Sequence, residues 1–250
     1  MFRRPQQPPE GPDAEAHFRT AALHAATAAR GFLEWMDGAT ERLAPERAVE
    51  LAQEVRRLHA EPLRAALAEL DAHPPPRALQ PFAAELADGF DHTVQAFDHM
   101  AALDAGPFVR AINDVLAAWH HAARAQEIFY SQRALLPAFA GYWQLNGTDT
   151  ADPPARTTND TVAQTGIIHV DASSHHGGFS AYVPETYSAD HAWPVIIALH
   201  GASGNGRDFL WMWLREAKSL GYLLVAPTSV CSRSFRGWTG ATGSPLAACC

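Results

Sequence analysis

Lysine is almost missing: Lys218 stands alone among 19 basic residues, and the rest are arginines. With abundant alanine, that imbalance reads as a GC-rich genome rather than as physics. Cysteine is nearly as scarce. Cys231, Cys249 and Cys250 are odd in number and crowd one end, so they cannot staple a fold, and they point to a reducing, cytoplasmic compartment. No uncharged apolar run approaches the ~20 residues of a membrane-spanning helix. Positive charge is also lacking. A net charge of −8 and a pI near 5.9 give no electrostatic support to nucleic-acid binding. Two arginines near the amino terminus have no apolar stretch behind them, so no signal peptide is expected there. What remains, with 47% hydrophobic and 18% charged residues over 250 positions, is ample material for a buried core.

The chain changes period part-way. Residues 1–12 read as a disordered amino terminus, 13–140 as a helical domain, 141–164 as a linker and 165–250 as a partial α/β domain. In the first half Phe18, Ala22, Ala25, Ala29, Phe32 and Met36 recur at spacings of three and four, which places them on one helix face ended by Asp37-Gly38. Ala48, Leu51, Val55 and Leu58 make a second stripe. Pro62 breaks its phase before Leu63, Leu67 and Leu70, so a kink or a fresh helix is expected there. His73-Pro74-Pro75-Pro76 stops the run. Phe82, Leu86, Phe90, Val94, Phe97 and Met100 form a third face, and Phe108, Ile112, Val115, Trp119 and Ala122 a fourth, with Gly106-Pro107 between them. Four amphipathic segments with short connections imply an antiparallel bundle.

After the turn-rich linker come short β-type runs at Gly166–Val170, Gly178–Val183, Trp193–Leu199 and Tyr222–Ala226. The second alternates, with Phe179, Ala181 and Val183 opposite Ser180 and Tyr182. The third is apolar throughout, as a strand covered on both faces would be. A helical stretch from about Asp208 to Leu220, ended by Gly221, lies between the third and fourth runs and completes a βαβ unit.

The segment with chemical potential is Leu199-His200-Gly201-Ala202-Ser203-Gly204-Asn205-Gly206-Arg207-Asp208, where a strand runs through glycines into a helix. Such loops lie at the carboxyl edge of a parallel sheet, where ligands bind. Gly201 and Gly206 have phosphate-loop spacing, but Arg207 and Asp208 replace the required Lys and Ser/Thr. A dinucleotide fingerprint fails because Phe209 stands where its third glycine belongs. Ser203 could be a nucleophile in a G-x-S-x-G elbow, yet Asn205 fills the final glycine position. An oxyanion-hole loop fits better, since a His-Gly turn can hold a backbone N–H where charge develops. The plain alternative is a glycine-rich turn without chemistry.

Phe179-Ser180-Ala181-Tyr182-Val183-Pro184, then Pro194 to Gly201 ending in Leu199-His200-Gly201, then Gly221 to Ala226-Pro227, together resemble the α/β-hydrolase superfamily. The likeness is to its phospholipase/carboxylesterase and dienelactone-hydrolase-like branches and covers roughly residues 166 to 230. The resemblance implies hydrolysis of a carboxylic ester in a small-molecule substrate, by a serine nucleophile with a histidine moving the proton. In it Ala202 would supply an oxyanion-hole N–H, with His200 and Gly201 shaping the loop. It implies no metal and no organic cofactor. The family's nucleophile, acid and histidine lie after a later strand, and none can be placed in this sequence. The expectation is therefore an amino-terminal piece of a serine hydrolase, interrupted before its nucleophile and inactive as it stands.

The histidines offer no alternative enzyme. His17 and His24, and His92 and His99, are seven apart, and His59, His120 and His121 add to the count, but no Glu-x-x-His triplet of a di-metal bundle occurs among them. They read as structural, and Asp171-Ala172-Ser173-Ser174-His175-His176 reads as a turn. Trp211 and Trp213 are expected to pack on the sheet rather than line an acyl pocket. The rival from another class is a non-catalytic helical binding or oligomerisation module with a vestigial α/β tail, self-associating through its helices or an open sheet edge.

Overall fold

A computed structural model describes residues 11–145, 164–170, 177–190, 192–201 and 204–229. Residues 1–10 of the segment 1–12 expected to be disordered, most of the linker, the Asp171–His176 turn, Ala202, Ser203 and all three cysteines lie outside these, whereas Pro12 already opens a helix. The chain divides into two compact units, 1–142 and 143–250. Among the described residues it is mostly helical, with one small mixed sheet, an α+β architecture.

In the first unit, α1 (Pro12–Thr40) buries every residue of its expected face, and Ala21 and Ala26 widen that face. Small side chains there let α2 (Ala48–Ala72) pack closely against it. Asp37-Gly38 does not end α1, which continues one more turn. Trp35 Nε1 and Arg42 Nη1 each donate to Glu54 at 2.8 Å, tying the end of α1 to α2. Those bonds, Arg42's first and then Trp35's, hold the Glu54 carboxyl below its ordinary pKa. The Pro62 expectation is corrected in one respect: no fresh helix begins there, and α2 runs through the proline. Pro62 lies on the exposed side, while Leu63 and Ala66 carry the buried face onward.

α3 (Gln80–Ala101) and α4 (Phe108–Ser131) pack along most of their lengths. Gly89 permits this, because a Cβ there would stand 2.8 Å from the Phe129 ring. Phe129 stacks on Phe139 at 4.6 Å, and Phe139 meets Tyr142 edge-on at 5.4 Å. Arg30 of α1 donates to the Ala138 carbonyl at 2.8 Å, anchoring the chain that follows α4. The expected α4 face holds from Val115 onward, but Phe108 and Ile112 are exposed in its first turns.

The second unit contains β1 (Gly166–Val170), β2 (Phe179–Val183), β3 (Val195–Ile197) and β4 (Leu223–Pro227) in the order β1-β2-β4-β3. β2 is antiparallel to both neighbours, whereas β3 and β4 run parallel, as a βαβ crossover requires. The crossover helix is broken into α5 (Gly206–Phe209), a 3-10 turn at Leu210–Met212, and α6 (Leu214–Leu220). Gly221 ends α6 in the left-handed region at φ 69°, where a side chain would be strained.

The helical segment packs on β2 and β4, burying Leu210, Trp211, Leu214 and Ala217, and on the sheet Ser180, Tyr182, Leu224 and Ala226. In β2, Ser180, Ala181 and Tyr182 are buried and Phe179 is exposed. One expectation changes here. β3 is not covered on both faces. Its one partner among the described residues is β4, and Val195 and Ile197 are 53% and 67% exposed, with Leu199 just beyond at 70%. Lys218, the single lysine, is only 6% exposed, and its Nζ donates to Glu185 at 3.2 Å. Tyr182 donates to the same carboxylate at 2.7 Å, which joins α6 to the turn after β2.

Candidate functional site

The loop between β3 and α5 is organised by backbone bonds at its two ends. Ala198 N–H donates to the Val225 carbonyl at 2.9 Å, extending the parallel ladder one residue past β3. His200 follows. Its Nδ1 lies 2.6 Å from the Gly201 carbonyl oxygen, an acceptor only, so Nδ1 must carry the hydrogen. Nε2 is then the lone-pair nitrogen, and it accepts from the Ser229 N–H at 3.2 Å. Both ring nitrogens are thereby committed, and the imidazole braces the end of β3 against the segment after β4. A histidine used this way holds a loop and is not poised to carry a proton.

Gly201 closes a turn by accepting from the Gly204 N–H at 3.0 Å, and Gly204 packs against His200, where a Cβ would come within 3.0 Å of the histidine's own. Asn205 caps α5: its side-chain oxygen accepts from the Asp208 N–H at 2.9 Å, and its amide donates to the Asp208 carboxylate at 2.7 Å. Gly206 is pressed onto β4, so that a Cβ there would fall 2.0 Å from the Ala226 carbonyl oxygen. Its N–H donates to Thr228 Oγ1 at 3.0 Å. Asn205 and Gly206 thus have their own tasks: one caps the helix and the other permits close contact with the neighbouring strand.

Of the residues singled out from sequence, His200 and Gly201 meet at the carboxyl edge of β3, while Ala202 and Ser203 fall outside the described residues. Both tryptophans lie between α5 and α6: Trp211, in the 3-10 turn, is buried, whereas Trp213, just before α6, is 42% exposed. Among the described residues, no group of three or more histidine, cysteine, aspartate or glutamate side chains could hold a metal ion.

Two pairings were not foreseen. His169 Nδ1 lies 2.8 Å from Ser180 Oγ, across directly paired positions of β1 and β2. Ser180 is fully buried, so the pair locks two strands and offers no accessible nucleophile. The equal length of the two strands was the available signal. In the helical unit His92 of α3 and His121 of α4 bring their Nδ1 atoms to 2.9 Å. The seven-residue spacing of His92 and His99 marked a histidine face without revealing its partner helix. Elsewhere His24 meets Glu69 at 2.9 Å, and His17 lies 5.6 Å from the His73 ring.

Compared with known proteins, the chain matches no protein-family model, no curated protein and no solved structure.

Proposed function

We propose that residues 166–229 are the opening part of an α/β-hydrolase domain, of the phospholipase/carboxylesterase type that cleaves carboxylic esters. The observation that carries this reading is the position and bracing of the His200-Gly201 turn. It joins β3 to the first crossover helix, the connection that supplies an oxyanion-hole N–H in lipases and esterases. His200, bonded to Gly201 and Ser229, fixes the backbone at that turn before any substrate arrives, which is what a preorganised oxyanion site requires. Ala202 is the residue whose N–H would face the developing charge, and no metal or organic cofactor takes part. No G-x-S-x-G stretch occurs in the 250 residues, so the chain itself carries an oxyanion loop without its nucleophile and does not turn over ester.

The test is to read the coding DNA past residue 230 in all three frames. A strand pattern followed by G-x-S-x-G is the expected result. An uninterrupted, unrelated sequence would overturn the reading in favour of a non-catalytic helical module.

A further inference from the structure

We infer that the histidine cluster between α3 and α4 is an acid-sensitive clasp, holding the two helices together when neutral or singly protonated and opposing them once doubly protonated. The geometry requires this. A contact of 2.9 Å between His92 Nδ1 and His121 Nδ1 needs a hydrogen on one nitrogen and a lone pair on the other. Two neutral rings satisfy it, and so does one cation beside one neutral ring. Two cations set N–H against N–H, and the contact is lost.

The surroundings make the second proton costlier still. His99 of α3 stacks on His121 with ring centroids 5.9 Å apart and planes 13° from parallel, and His120 approaches it edge-on at 5.4 Å. The groups acting on His121 are thus His92, His99 and Asp91 from α3 and His120 from its own helix, and Asp91 is the one anion among them. Asp91 also accepts from Gln95 at 2.6 Å, and the other nearby carboxylate, Asp114, is engaged by His99 Nδ1 at 3.2 Å. Burial, and then the neighbouring histidines His120, His92 and His99, hold the His121 pKa below its ordinary value, with Asp91 opposing.

The sign follows from linkage. A base with a lowered pKa in the folded state is neutral there, while the unfolded chain takes up the proton near pH 6.5. The clasp is therefore fully formed above about pH 6.5 and weakens as pH falls through that value towards the lowered one. His59 of α2, also lowered chiefly by burial, adds a decline of the same sign, so the test must isolate His121.

The experiment compares thermal unfolding of the full chain and its His121→Phe variant, followed by circular dichroism at 222 nm between pH 8 and pH 5. The wild-type Tm should fall by about 3 °C or more beyond the fall in the variant between pH 7.5 and 5.5. Parallel pH profiles would overturn the clasp. An imidazole NMR titration of the wild-type chain decides independently, should His121→Phe fail to fold. His121 should titrate below the ordinary histidine range, and titration of His121 at or above about pH 6.5 would overturn the proposal.

Discussion

Gly206, the first residue of α5, has no room for a side chain, because the atom it would gain collides with backbone rather than with a side chain that can swing away. The Ala226 carbonyl is fixed in the β4 ladder, and the Gly206 N–H is held by Thr228. Gly206→Ala should therefore cost about 3 kcal/mol, the upper end of overpacking penalties. Urea unfolding followed by tryptophan fluorescence reads this, and a cost under about 0.5 kcal/mol would show that the two segments do not meet closely. Gly206 was visible in sequence as one of several glycines, but its task depends on where β4 ends, twenty residues further on. The same holds for His200, whose Nε2 accepts from the distant Ser229 N–H. Asn205, noted in the sequence only as breaking the elbow pattern, carried a local signal that was missed: an asparagine three residues before an aspartate at a helix start is a capping pattern. Contacts local in sequence can be read from it. Contacts made across a sheet need the register first.

At the scale of elements, helices announce themselves through faces that repeat along one segment, and α1 illustrates this: all six residues of its expected stripe are buried. Strand burial depends on neighbours in space, so the apolar run at Val195–Leu199 could not reveal that β3 lies at the edge of the described sheet. α2 presents the opposite case, in which a local rule overstates a break. Pro62 removes one backbone donor mid-helix, yet the packing of Leu51, Val55, Leu63 and Ala66 on one side carries the helix through. Pro62 is exposed, so replacing it with alanine creates no clash and restores that donor. Alanine is about 3 kcal/mol better than proline inside a helix, less up to ~1 kcal/mol for the freer unfolded chain. Pro62→Ala should raise stability by about 2 kcal/mol, read as a higher urea midpoint, and a lowered midpoint would mean that α2 depends on a proline-induced bend.

The whole molecule consists of two units whose cores are built from different periods, one helical and one stranded. The stretch that follows the helical unit in sequence, with Asp152-Pro153-Pro154 among turn residues, has the composition of a connecting segment. Limited proteolysis should cut first between residues 141 and 164 and leave a soluble helical fragment, because α1–α4 bury their aromatic and alanine-rich faces within residues 1–142. A first cut within α1–α4 would contradict this division. No described helix is long and apolar enough to cross a membrane. For the second unit, the proposal is that the turn after β3 is an oxyanion loop and that Ser203 is not a nucleophile. Its most direct measurement is hydrolysis of p-nitrophenyl butyrate by the full 250-residue chain beside its Ser203→Ala variant. Both should stay at the buffer rate. Clear turnover by the wild-type chain that disappears in Ser203→Ala would make Ser203 the nucleophile and contradict the account.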